Sequence, residues 1–148
     1  MSELGEALAE CIDRARATGD YGPLLGTLPY TRFLGLGASV RGDSILLHLP
    51  YRPSLLGNPV LPAIHGGVVG ACLESAALLQ IIHVRKALPL PKTIDFTVDY
   101  LRAARASDIF ADAQVQRLGR RIVNVRMRAY QASESEPIAL GRGNFLVD

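Results

Sequence analysis

Tryptophan is absent from this 148-residue chain, and aromatic residues make up only 6% of it. Charge of one sign is also scarce: 16 basic and 14 acidic residues leave a net +2. So small an excess gives no electrostatic footprint for nucleic acid or an anionic membrane surface. There are two cysteines, Cys11 and Cys72, with no CxxC spacing. That excludes a disulfide framework and fits reduced thiols in a cytoplasmic protein. The three histidines, His48, His65 and His83, have no second His or Cys at ligand spacing on one helix face, so no metal and no cofactor is expected. The first 20 residues carry acids and lack a basic start followed by an apolar run, which is unlike a secretory signal. The longest apolar stretch, Val68 to Val84, is short for a membrane span and is interrupted by Glu74, Gln80 and His83.

Hydrophobic residues are 49% and charged residues 20%, a globular composition. The length suits one domain over 1–148, large enough to be stable without a metal or disulfide staple. Leu4, Leu8, Cys11, Ile12 and Ala15 recur at helical spacing, so a helix is expected within 1–20, with Ser2 as its N-cap and Gly19 at its end. Tyr21 to Pro29, rich in Gly, Pro and Leu, reads as an apolar loop. Phe33 to Val40 and Ser44 to Pro50 read as strands joined through Arg41-Gly42-Asp43, a tripeptide that a hairpin turn explains without an adhesion role. Tyr51 to Ile64, with three prolines and a glycine, reads as a long loop that delivers Asn58 close to the next element.

That element is the centre of the chain. His65-Gly66-Gly67 opens an apolar run, and a helix is expected over 65–86, ended by Pro89 and Pro91, with Arg85 and Lys86 at its negative end. A helix apolar almost all round is a core helix. Its one carboxylate between Val68 and Leu79 is Glu74, which is costly there unless hydrogen-bonded, paired or protonated. Four strands follow. Thr93 to Leu101 alternates, with Ile94, Phe96, Val98 and Tyr100 on one face and Thr93, Asp95, Thr97 and Asp99 on the other. Ile109 to Arg117 and Ile122 to Tyr130 flank Leu118-Gly119-Arg120, and Ile138 to Val147 closes the chain. Short connections imply an antiparallel sheet, and its apolar face needs the buried helix as cover. The fold class is therefore α+β.

Unpaired N–H groups at a helix start can bind an anion or a carbonyl oxygen that turns negative during acyl transfer. Gly66 and Gly67 would let a ligand come close; a tight turn or close packing explains them equally. Glu74 is either a general base or a member of a structural network. It lies about 12 Å along the axis from Gly66 at the usual rise per residue, so an extended substrate or two chains would be needed to use both. His65 suits a helix-entry residue or a base, and His83 a helix-end residue. Arg117, Arg120 and Arg121 are solvated charge or phosphate contacts.

The sequence resembles the PaaI-like branch of the hot-dog acyl-CoA thioesterases. The likeness rests on Asn58, on His65-Gly66-Gly67, on an acid eight positions after Gly66, and on the run from Thr93 to Ala104. It implies a curved antiparallel sheet around one long helix, and a homodimer, often paired again into a homotetramer, with sites between subunits. It implies an acyl-CoA substrate, Gly66 or Gly67 as amide donor to the thioester carbonyl, and Glu74 as general base or nucleophile. It further implies that Asn58 and Thr93 orient the water, thioester or acid, that His65 lies in the substrate site, and that Arg117, Arg120 and Arg121 meet coenzyme A phosphates. The chain departs from the family pattern in having Glu where many members have Asp, and Leu78 where some Glu-type members have Thr one turn later. A dehydratase or hydratase on the same fold, and a non-catalytic acyl-CoA-binding dimer, are the alternatives.

Overall fold

The computed structural model describes residues 2–85 and 90–147. Its first element, α1 (Glu3–Thr18), starts where expected: the Ser2 side chain accepts the Gly5 N–H, and Gly19 closes the helix at φ +76°. The segment expected to be a loop instead folds into α2 (Gly22–Thr27) and α3 (Pro29–Leu34). Pro23 and Pro29 sit in the first turns of these helices, where a missing N–H is harmless and a fixed φ helps. Burial of Tyr21, Leu24, Leu25 and Leu34 holds these single turns in place. Phe33, expected in a strand, therefore lies in α3.

The strands are β1 (Gly37–Arg41), β2 (Ser44–Leu49), β3 (Leu56–Asn58), β4 (Ala63–Ile64), β5 (Lys92–Tyr100), β6 (Ile109–Leu118), β7 (Ile122–Tyr130) and β8 (Ala139–Leu146). Six of them form one antiparallel sheet in the order β1-β2-β6-β7-β8-β5. Arg41 pairs with Ser44, leaving a two-residue turn in which Gly42 takes φ +62°. The presumed loop over 51–64 contains a short 3-10 turn at Pro53–Leu55 and the small hairpin β3–β4.

The long helix, α4 (Gly66–Val84), has His65 as N-cap and Arg85 as C-cap. Lys86 and Pro89, expected at its end, lie outside the described residues. Its apolar composition is used up by packing: Val69, Cys72, Leu73, Ala76, Ala77, Leu79, Ile81 and Ile82 are all buried. Facing them are Ile45, Leu47 and Leu49 of β2 and the alternate residues Ile109, Ala111 and Ala113 of β6, then Val123, Val125, Met127 and Ala129 of β7. Burying each such aliphatic side chain stabilises the fold by about 1.5–3 kcal/mol. The buried polar residue Gln80 is satisfied on both sides: its Oε1 accepts the Ile45 N–H at 2.8 Å, and its Nε2 donates to the Asp43 carbonyl at 2.8 Å. It thereby pins the β1–β2 turn to the helix. This is the curved sheet wrapped round a helix that the resemblance implied.

Candidate active site

The start of α4 is built by the hairpin before it. The His65 N–H donates to the Leu55 carbonyl at 2.9 Å, so the chain enters the helix tied to the 3-10 turn. Gly57 allows this, since a Cβ there would lie 2.8 Å from His65 Cα. The imidazole folds over the helix end and its Nδ1 accepts the Gly67 N–H at 2.9 Å. The neutral ring therefore carries its proton on Nε2. The His65 carbonyl accepts from Val68 at 2.9 Å and from Val69 at 3.3 Å. Of the two candidate amides, then, Gly67 is already engaged. Gly66, whose N–H precedes the first intrahelical bond, has no partner for it among the described residues. Two donors on the carbonyl of the same peptide polarise that N–H further.

Asn58 ends β3 on the rim of this loop. Its Oδ1 accepts the N–H groups of Val60 at 3.0 Å and Leu61 at 3.2 Å, an Asx turn, and its amide nitrogen remains unengaged among the described residues.

Glu74 is half-buried, and its Oε2 accepts the Thr93 hydroxyl at 3.0 Å. The simple alternation expected for β5 would have kept these two apart. A bulge between Thr93 and Asp95 breaks it: Thr93 pairs with Phe145 and Asp95 with Asn144, leaving Ile94 as the extra residue. Phe145 is fully buried against the helix, so Thr93 joins the helix-facing side with Phe96 and Val98, while Ile94 is 51% exposed. The second carboxylate oxygen of Glu74 has no partner among the described residues. Leu78, one turn on, offers no hydrogen bond.

Tyr100 was legible only as an apolar-face residue. Its hydroxyl donates to the Gly66 carbonyl at 2.8 Å, and a Cβ on Gly66 would meet its ring at 3.4 Å. A hollow of about 370 Å³ opens here, lined by Ile64, Gly66, Val69, Tyr100 and the segment after β5. The signal that could have found it is its polar hydroxyl at the end of the apolar face of β5, with Phe96 and Val98.

Arg117, Arg120 and Arg121 line a separate hollow of about 570 Å³ with Asn124 and Asn144. A bulge between Val115 and Arg117 pairs Arg117 with Asn124, away from the helix side. Arg85 leaves the helix terminus and donates to the carbonyls of Gly119 at 2.6 Å and Arg120 at 2.8 Å, fixing the turn that carries the arginines. His83 is engaged elsewhere, with Nδ1 2.8 Å from the buried Tyr21 hydroxyl. Cys72 is no nucleophile: burial pushes its thiol up to about 12. Among the described residues, no three His, Cys, Asp or Glu side chains gather as metal ligands.

A sequence profile described as the thioesterase superfamily matches residues 61–138, more than half of the chain and nearly all of the site just described. The chain belongs to the thioesterase superfamily. It is 27% identical over 122 residues to the medium/long-chain acyl-CoA thioesterase YigI of Salmonella typhimurium, covering 72% of this chain and 78% of that protein. The Escherichia coli YigI protein matches at 26% identity over the same coverage. Among solved structures, a Chromobacterium violaceum protein is similar with TM-score 0.76 and 30% identity, over 94% of this chain and 97% of that one. A Shewanella oneidensis protein related to the thioesterase superfamily gives TM-score 0.76 and 26% identity, over 95% and 97%. A Ralstonia eutropha phenylacetic acid degradation-related protein shares the fold at TM-score 0.74 and 21% identity, over 92% and 98%. The hot-dog fold and the thioester-hydrolase family expected from the sequence are both met.

Proposed function

We propose that this thioesterase superfamily member hydrolyses an acyl-CoA to the free acid and coenzyme A. The observation that carries the reading is the pair of openings on one helix: a Glu74 carboxylate steadied by Thr93, and an unengaged Gly66 N–H at the positive helix end. Water held by the free oxygen of Glu74 attacks the thioester carbon and passes its proton to the carboxylate. The carbonyl oxygen becomes an oxyanion and is stabilised by the Gly66 N–H. Collapse breaks the C–S bond, and the thiolate, a good leaving group, departs and takes up the proton. Direct attack by Glu74, giving an anhydride that water then opens, uses the same groups.

Glu74 and Gly66 lie about 12 Å apart along their own helix, too far to act on one carbonyl. The reading therefore includes a homodimer in which Gly66 of one chain faces Glu74 of its partner, with pairing into a tetramer as a further level. Asn58, through its unengaged amide nitrogen, orients the thioester or water, and His65 sets the Gly66 amide by capping the helix. The hollow beside Gly66 and Tyr100 takes the arm of coenzyme A, and Arg117, Arg120 and Arg121 take its phosphates. The YigI relatives support a medium or long acyl chain.

Free-thiol release from short, medium, long and aryl acyl-CoAs, with Glu74→Gln in parallel, tests this. The variant is expected to stay folded and to lose about 10²- to 10⁴-fold in kcat, the range a positioned base supplies. A fully active variant removes Glu74 from its role. No release from any thioester, with acyl-CoA still bound, makes the protein a binding module, and hydration of an enoyl-CoA without release makes it a hydratase.

A further inference from the structure

The bulge in β5 runs against the local hydrophobic pattern. In a regular strand, with Phe96 and Val98 toward the helix, Ile94 would also point inward and Thr93 outward. The observed strand does the opposite. It leaves Ile94 half in solvent and turns a hydroxyl toward the helix. A departure from pattern that exposes an isoleucine must be held by something else.

The holding contacts lie on the opposite side of the sheet from Glu74. Asp95 Oδ1 accepts the Asn144 N–H at 3.2 Å and the Asn144 side-chain amide at 3.0 Å. Asn144 Oδ1 in turn accepts from Asn124 Nδ2 at 3.0 Å. Asp95, Asn144 and Asn124 thus run across β5, β8 and β7. Gly143 makes room for the kinked strand, since a Cβ there would lie 2.7 Å from both the Asp95 carbonyl oxygen and Phe96 Cβ. The parity of the strand shows what the bulge achieves. Thr93 and Tyr100 are an odd number of residues apart, which in a regular strand places them on opposite faces. One extra residue puts both on α4, with Thr93 on Glu74 and Tyr100 on the Gly66 carbonyl.

We infer that Asp95 is a positioning residue for the hydrolytic reaction: it locks the bulge at Ile94 that turns Thr93 onto Glu74. The inference rests on the reading of Thr93 and Glu74 as catalytic, and it assigns Asp95 no contact with substrate. Asp95→Ala frees β5 to straighten, with Ile94 entering the core and Thr93 leaving Glu74. Asp95→Asn keeps the Oδ1 acceptor and with it the bulge.

The test is acyl-CoA hydrolysis by Asp95→Ala, Asp95→Asn, Thr93→Val and the Asp95→Ala/Thr93→Val double variant, with a crystal structure of Asp95→Ala. Thr93→Val should lower kcat by about tenfold to hundredfold, less than loss of the base itself, with KM little changed. Asp95→Ala should match it, Asp95→Asn should restore most of the rate, and the double variant should be no worse than Thr93→Val alone, because both act through one contact. Additive losses, or a slow Thr93→Val beside a fully active Asp95→Ala, overturn the inference. If Thr93→Val and Glu74→Gln are both fully active, the catalytic reading has failed instead. The crystal structure then decides the lock by itself: Thr93 turned outward supports it, and a retained bulge overturns it.

Discussion

Asp108 shows how one carboxylate ties the end of β2 to the start of β6. Its Oδ1 accepts the Tyr51 N–H at 2.8 Å and its Oδ2 lies 2.8 Å from His48 Nε2. The Tyr51 N–H first, and the His48 ring second, hold this carboxyl below its usual value. A lowered folded value means that the unfolded chain binds the proton first as pH falls. The stabilisation is therefore present above the ordinary carboxylate range, about pH 4, and is lost as pH drops through the lower folded value. Asp108→Ala should lower Tm at pH 7 by a small amount, given its exposure, and the gap to the parent should close in acid. Thermal melts from neutral pH down to about pH 2.5 check this, and a gap of constant size at every pH assigns the loss to something other than the ionised carboxylate. Individual residues were legible where chemistry is local. Ser2 as cap, Gly19 and Gly42 as turn formers and Glu74 as an unusual acid all follow from type and position. Thr93 was legible only through resemblance, because its contact with Glu74 depends on a bulge that alternation alone argues against.

The element that positions the helix start is the hairpin β3–β4, and the sequence concealed it. Three prolines in fourteen residues look like loop, and strands of three and two residues leave no period to detect. α2 and α3 escaped for the same reason: single turns are stabilised by burying Tyr21, Leu24 and Leu34, not by local propensity. The four later strands were legible because eight to ten residues give a period time to show, and the long helix because its apolar run is opened by His65-Gly66-Gly67 and followed by Pro89 and Pro91. The hairpin leads to a prediction of its own. Gly57 lies so close to His65 that an added methyl group would strike backbone, not a flexible side-chain end. Gly57→Ala must push His65 aside, loosening the cap on Gly67 and turning the Gly66 N–H. Overpacking of this kind costs about 1–3 kcal/mol. Urea unfolding should show that loss, and thiol release should fall more than a stability loss alone explains, with kcat reduced in protein that is still fully folded. Unchanged turnover would mean that the hairpin does not set the amide.

At the scale of the whole molecule, the proposed reaction makes one chain the holder of two half-sites. Its Gly66 amide and its Glu74 carboxylate are on the same helix but too far apart to meet on one carbonyl. Among the described residues β5 stands at the edge of the sheet, beside β8. Two-fold pairing is the simplest closed arrangement that brings opposite ends of two such helices together. Gly66→Pro separates this from any single-chain mechanism. Proline is well suited to the first helical position, and His65 already has the ψ of +132° that a residue before proline prefers. The change removes the one N–H, and its new Cβ meets the Tyr100 ring at 3.4 Å. Gly66→Pro and Glu74→Gln should each be nearly inactive alone. Unfolded and refolded together in equal amounts, half the dimers pair one chain of each kind. Each mixed dimer then has one site with both groups intact and one with neither, so about a quarter of the parent turnover should return. Recovery near that value requires the two groups to come from different chains. A mixture as inactive as its components, with mixed dimers present by mass spectrometry, would place both groups of each site within one chain.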